Sequence, residues 1–178
     1  EEIPEKERRT IITVTKLHPS VLESFGLDKD INELIQELQR EHMYNINKGL
    51  EILINEVRLE APELELLESD ELTTAYWEDL DGPVKVRLYA GISHKDKSAG
   101  GWYVFCNRRL VLGPDQTKTT GWGTERITKI PEYHSQFYRF RGYAFLDAED
   151  PRKLPWNTAK TGMDLDSPVW RAVSQHMI

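Results

Sequence analysis

The residues with the clearest chemical potential lie in two polar loops. The stretch LPWNTAKTGMDLDSP, residues 154–168, holds one cation, Lys160, among small polar residues, directly before a helix start. The stretch DQTKTTGWG, residues 115–123, holds Lys118 in a Thr- and Gly-rich setting. By residue type alone each is a surface lysine. Arg108, Arg109, Arg139, Arg141, Lys118 and Lys129 lie near aromatic residues in the chain, a combination used by single-strand nucleic-acid surfaces. Asp147, Glu149 and Asp150 could serve acid–base chemistry or magnesium, but their grouping fits a solvated turn after a strand far better. The histidines at 18, 42, 94, 134 and 176 have no metal-ligand spacing. No serine sits in a nucleophile elbow, and no Walker-type phosphate loop is present.

Composition narrows the classes. A chain of 178 residues with a 39% hydrophobic fraction and five Trp can bury a core and form one or two small domains. The net charge of −7 argues against broad non-specific binding to nucleic acid and leaves a local basic patch open. The single cysteine, Cys106, excludes an internal disulfide and suits a reducing cytosol, so a cytoplasmic location is expected. No apolar run approaches the roughly 20 residues of a membrane helix, and none reads as a signal peptide. The chain opens without Met in a charged, strand-like segment and ends a few residues into an apparent helix; it reads as a fragment of something longer.

These loops need elements to hold them. Residues 9–17, RTIITVTKL, are rich in β-branched residues and predict a strand. Residues 31–48 predict a helix: Ile31, Leu34, Ile35, Leu38, His42 and Ile46 recur at helical spacing, Asp30 can cap the start and Gly49 the end. LEILINEVRLE alternates as one strand, and the acidic stretch APELELLESDEL reads as a weakly structured boundary. In PVKVRLYAGI, Val84, Val86, Leu88, Ala90 and Ile92 share one face while Lys85, Arg87 and Tyr89 share the other. HKDKSAGG predicts a turn, and WYVFCNRRLVL and YRFRGYAFLDA predict two further strands. The segment GPDQTKTTGWGTERITKIPEYHS is a long loop, a type usually functional or mobile. Ser167 is placed to cap a last helix, with Pro168 at its first position. No internal repeat is visible.

Several of these stretches carry a family resemblance. RTIITVTKL, a helix and then INKGLEILINEVRL resemble the closing strand, last helix and last strand of an ATPase domain of the gyrase, heat-shock chaperone, histidine kinase and MutL (GHKL) superfamily. GGWYVFCNRRLV resembles a second-domain strand of MORC-type ATPases. FYRFRGYAFLDAEDPRKLPWNTAKTG is similar to the part of the ninety-kilodalton heat-shock chaperones that ends in a catalytic arginine loop; MORC-type proteins have an Asn–Lys–Gln–Asp stretch there. The resemblance spans most of the chain apart from the acidic segment near residues 60–72.

The resemblance implies an α+β chain in three parts. Residues 1–62 would be the tail of the ATPase domain, 63–72 an acidic linker, and 73–178 a transducer truncated in its last helix. The transducer would have a ribosomal-S-five-like fold, with a left-handed β-α-β unit and a mixed sheet bearing helices on one face. It would send a loop cation to the γ-phosphate of ATP. Carried over by position, that cation is Lys160 and the accompanying loop asparagine is Asn157; Lys118, in a Gln–Thr–Lys string like that of gyrase-type transducers, is the second choice. ATP and magnesium would belong to the parent protein, with the preceding ATPase domain as partner and a homodimer as the assembled form. No Asn/Glu magnesium helix, DxGxG segment or Gly-rich lid is present, so this chain alone is expected neither to hold nor to hydrolyse nucleotide. The alternative function is an interaction module, for protein or nucleic acid, on the strands bearing Arg108, Arg109, Arg139 and Arg141.

Overall fold

The computed structural model describes residues 14–124 and 130–177. The chain forms two compact units, residues 1–36 and 37–178. Most of the strand expected over residues 9–17 lies outside the described residues. In the remainder, Val14 to Leu17 are irregular and Lys16 has φ +57°.

In the first unit, α1 (Pro19–Phe25) starts with proline at its first turn, and the His18 ring accepts the Ser20 N–H at 3.4 Å. None of its side chains is buried; Leu22 is 63% and Phe25 53% exposed. α2 (Asp28–Glu41) follows. The helix predicted over 31–48 therefore begins earlier, and it breaks at His42, whose φ/ψ of −103°/12° departs from helical values, before α3 (Met43–Asn47). Gly49 ends the helical region with φ +98°, as expected of a glycine in that role.

The second unit is built on a mixed five-stranded sheet in the order β3 (Ala75–Asp79), β4 (Lys85–Ile92), β7 (Phe140–Asp147), β5 (Gly101–Cys106), β6 (Arg109–Asp115). All neighbours are antiparallel except β5 and β7, which run parallel. The α+β class and the single sheet shared by the three strong strands agree with the sequence.

Two expected strands fold back on themselves for one reason. Asn107 and Arg108 both take positive φ, +46° and +68°, so WYVFCNRRLVL becomes the β5–β6 hairpin. Asn55 and Glu56, at +48° and +67°, split LEILINEVRLE into the short hairpin β1 (Leu53–Ile54) and β2 (Val57–Arg58). A two-residue connection with both residues left-handed matches the twist of the flanking strands. β3 was hidden in the polar run TTAYWED and pairs with β4 along its whole length. The segment linking the parallel strands β5 and β7 contains β6 and 3₁₀ turns at Lys118–Thr120 and Ser135–Phe137. Among the described residues it carries no α-helix, where the resemblance implies one.

Helices cover both faces of the sheet, not one. On the first face, Val86, Leu88, Trp102, Val104, Cys106, Ala144 and Leu146 pack with Trp170, Val173 and Met177 of α4 (Pro168–His176) and its end. On the second, Tyr103, Phe105 and Tyr143 pack with Met43 of α3, and Tyr44, Ala61, Leu64 and Leu66 flank them. The cause is β5 itself: every residue from Gly101 to Cys106 is buried, so both sides of that strand require a cover. The second face also carries a row of tyrosines in register, Tyr76 opposite Tyr89, Tyr89 opposite Tyr143, and Tyr143 opposite Tyr103.

Close packing sets one demanding position. Trp102 lies opposite Gly142 across the parallel pair, and a β-carbon on Gly142 would fall 2.2 Å from Trp102 Cε3. The Trp102 ring is 4% exposed and meets Phe140 edge-on at 5.5 Å, so it has little freedom to retreat. Gly142→Ala is expected to lower unfolding stability by about 3 kcal/mol in urea titrations, as overpacking of a rigid site does. Gly82→Ala, whose β-carbon meets nothing closer than 3.6 Å, should change it by less than about 0.5 kcal/mol.

Candidate functional site

The loop after β7 is held from its base upward. Asp150 caps the 3₁₀ turn Pro151–Lys153 by accepting the Arg152 N–H at 3.0 Å. Both Asp150 oxygens also take the Arg152 guanidinium at 3.0 Å, which holds the carboxyl below the usual carboxylate range. Leu154 and Pro155 are buried and anchor the chain on the first face of the sheet. Trp156 and Met163 then pair as an isolated antiparallel bridge, and Asp164 N–H donates to the Pro155 carbonyl at 2.9 Å.

Asn157 closes the tip of this small hairpin. Its backbone N–H donates to Gly162 O at 2.9 Å, its carbonyl accepts Lys160 N–H at 2.9 Å, and its side-chain Oδ1 accepts Thr161 N–H at 3.0 Å. Lys160 sits at the tip in the left-handed region, φ +58°, a conformation that costs a non-glycine residue about 1–2 kcal/mol. The lysine is exposed, and its Nζ lies 4.8 Å from the centroid of the Trp156 ring. It forms no ion pair among the described residues. Gly162 is confined too, since a β-carbon there would approach Asn157 Nδ2 to 3.3 Å.

The second loop is tied to the sheet. Asp115, 7% exposed at the end of β6, accepts the hydroxyls of Thr120 at 2.6 Å and Thr117 at 3.0 Å. Gln116 Nε2 donates to Gly100 O at 2.7 Å. Gly121, at φ +99°, ends the 3₁₀ turn, and Trp122 is buried against Tyr133, Phe137 and Phe140. In the Gln–Thr–Lys string, Gln116 and Thr117 are thus structural, while Lys118 is exposed. Lys118 borders a polar cleft of about 520 Å³ that Leu165 and Arg171 also line. Leu165 follows the Lys160 hairpin in sequence, so that segment and the Lys118 loop border one cleft.

The four arginines of the interaction-module reading do not converge. Arg141 is 5% exposed and donates to the carbonyls of Tyr138, Phe140 and His94. Arg109 pairs with Glu41 at 2.7 Å. Arg139 is exposed, with Nε donating to Ser93 O at 3.2 Å. Arg108 is exposed in the β5–β6 turn, at the end of the sheet opposite Arg139, because β5 and β7 run parallel. Lys129 lies outside the described residues.

Several of the remaining candidates have ordinary partners, whereas the buried Nδ1 of His42 has none among the described residues. Asp147 accepts Arg87 at 2.9 Å. His134 accepts Gln136 N–H at the start of a 3₁₀ turn, and His176 stacks on Trp77 at 3.8 Å. Burial pushes the Cys106 thiol up to about 12, which keeps it protonated and unreactive. No group of three His, Cys, Asp or Glu among the described residues could hold a metal ion, and no helix there is long and apolar enough to cross a membrane. Sequence reasoning missed the role of Asp115. A carboxylate followed by Thr at two and five positions on was its only signal.

Comparison with protein-family models, with curated proteins and with solved structures finds no match to this chain.

The hairpin geometry makes Asn157 the part that can be tested apart from any activity. Asn157→Ala removes the acceptor of the Thr161 N–H and should cost about 1 kcal/mol. It should speed hydrogen exchange at the Thr161 amide while leaving exchange in β5 and β7 unchanged.

Proposed function

We propose that this chain is the tail of a GHKL-type ATPase domain joined to its transducer, and that Lys160 is the loop cation delivered to the γ-phosphate of ATP in the parent protein. The observation that carries the reading is the Lys160 hairpin. Asn157 orders the backbone, the lysine occupies the tip, and its ammonium is exposed without an acidic partner among the described residues. The left-handed backbone closes the turn, as it does at Glu56 and Arg108 in the other two hairpins; what sets Lys160 apart is an exposed ammonium at the tip of a loop whose two ends are buried.

The chemistry suits phosphoryl transfer. An ammonium is a compact point charge with three donors on a flexible stem. Beside the γ-phosphate it offsets charge that builds as the phosphoryl group departs. Thr158, Thr161 and Gly162 are small and leave space for a phosphate to approach. The parallel β5–β7 pair supplies a crossover, but among the described residues its connection carries β6 and 3₁₀ turns in place of the helix of a β-α-β unit; the finer ribosomal-S-five-like fold belongs to this proposal. Adenine and magnesium would be held by elements of the preceding domain, and the assembled form would be a homodimer that closes on ATP. Lys118 has the weaker claim, because Gln116 and Thr117 beside it are taken up in fixing their own loop.

Two measurements test the proposal. The chain alone should bind ATP with magnesium more weakly than micromolar by calorimetry, that is, with less than roughly 8 kcal/mol of binding free energy. In the full ATPase, Lys160→Ala should slow turnover on the order of a hundredfold, the scale of losing one transition-state donor. ATP affinity should stay nearly intact, since the contact matters most as charge develops. Lys118→Ala should do much less. The reverse pattern would move the phosphate contact to the 116–118 loop, and no effect from either variant would overturn the proposal.

A further inference from the structure

Asn157 fixes the backbone of the Lys160 hairpin, but a fixed backbone does not aim a long, flexible stem. An exposed lysine side chain samples many rotamers, and holding it in one costs entropy. One neighbour is placed to aim it. The Lys160 ammonium lies 4.8 Å from the centroid of the Trp156 ring, inside the roughly 6 Å over which an aromatic face attracts a cation. Tryptophan has the strongest such face. Among the described residues the one other lysine over a ring is Lys48, 5.9 Å from Tyr44, and Lys118 has no contact of this kind.

In this pair the ring is the fixed partner. Trp156 follows the buried Leu154 and Pro155. Its backbone bridges to Met163, and its half-buried side chain packs against the first-face core. Lys160 is exposed, so the indole stands still and the ammonium is the part that moves. An ammonium has three donors. A ring on one side of it leaves N–H groups on the other side for a second partner.

We propose that Trp156 is a positioning residue for Lys160: its indole face gathers the ammonium at the hairpin tip and aims it for a phosphate group. The inference rests on the reading of Lys160 as the γ-phosphate contact and adds to it a side chain that acts only through the lysine. An ammonium already gathered near its working place loses less freedom when the phosphate arrives. The pull of a ring on an exposed cation is small beside that of a phosphate, so the indole steers without competing. In the contrasting arrangement the lysine stem merely shields the ring from water. That role would stabilise the hairpin and leave turnover independent of the pair.

The first measurement uses this chain alone. The ring current of Trp156 should move the NMR signals of the Lys160 ε-methylene protons upfield of those of Lys118. Trp156→Leu should abolish that difference and leave hydrogen exchange at the Thr161 amide unchanged, because Asn157 holds that amide. If the leucine variant loses Thr161 protection, Trp156→Phe, which keeps an aromatic face, replaces it and should retain part of the upfield displacement. The second measurement is a double-mutant cycle on turnover of the full ATPase. Trp156→Leu should lower kcat about fivefold, the scale of one cation–π contact, with KM for ATP nearly unchanged, and Trp156→Phe should lower it less. In a Lys160→Ala background Trp156→Leu should have no further effect. Equal losses in both backgrounds, no loss from Trp156→Leu where Lys160→Ala does slow turnover, or Lys160 signals that coincide with those of Lys118 would each overturn the inference and leave the reading of Lys160 standing. Full turnover in Lys160→Ala would instead overturn that reading, and this inference with it.

Discussion

The parallel pairing of β5 with β7 is the contact on which the second unit depends. A strand paired on both edges and buried along its whole length exposes apolar side chains to two opposite layers, and each layer must be closed by a different piece of chain. On one side α4 and the buried Leu154 and Pro155 supply the cover. On the other, α3 and residues near Ala61 and Leu64 supply it. Gly142 is the local condition for the pairing, because only a residue without a β-carbon lets the Trp102 ring lie across β7. Hydrophobic burial drives both layers, but the close approach of Trp102 to the backbone fixes their register.

The same constraint places the functional loop. The chain leaves β7 at Asp147, while Leu165 borders the cleft of Lys118, which follows the far end of β6. The segment between them therefore crosses the first face. Leu154 and Pro155 hold it down at the start, Trp170 of α4 holds it at the end, and the Trp156–Met163 hairpin rises between them. An exposed tip on two buried anchors is a stiff way to present one charge. Two of the arginines are used in the opposite sense. Arg141 is buried and donates to carbonyls, and the half-buried Arg109 pairs with Glu41, which suits a planar fork of donors that never loses its charge. Exposed lysines are left as the free cations of both loops.

Acidic residues divide in a parallel way. Asp115 and Asp150 are tied into turns by hydroxyls, amides or a neighbouring arginine, and they stabilise local structure. The stretch from Glu63 to Glu68, which reads as a weakly structured boundary in sequence, forms one wall of an aromatic cleft. Among the described residues its carboxylates form no ion pair with Lys or Arg; the exposed His94 ring lies 3.9 Å from Glu65, and Lys48 stands on the rim.

The sequence by itself determined the strands whose pattern is strong. The alternation of Val84, Val86 and Leu88 fixed which face of β4 is buried, the β-rich run 140–147 fixed β7, and Ser167–Pro168 fixed where α4 begins. It also placed Lys160 in a short polar loop, because a lone cation among small residues between two apolar anchors can go only to the surface. Other features were decided by tertiary structure. The turns at Asn107–Arg108 and Asn55–Glu56 lie inside apolar runs, where a left-handed pair is invisible to periodicity and forms because the returning strands pair. β3 has strand-forming residues in Tyr76 and Trp77 but ends in Glu78 and Asp79 with no apolar alternation; pairing with the open edge of β4 makes it a strand. The separation of the four arginines and the gathering of Tyr44, Tyr89, Tyr143 and Phe145 into one cleft follow from strand order and register. The cleft joins residues up to 101 positions apart, from Tyr44 to Phe145, and no local pattern encodes which distant strand will lie alongside.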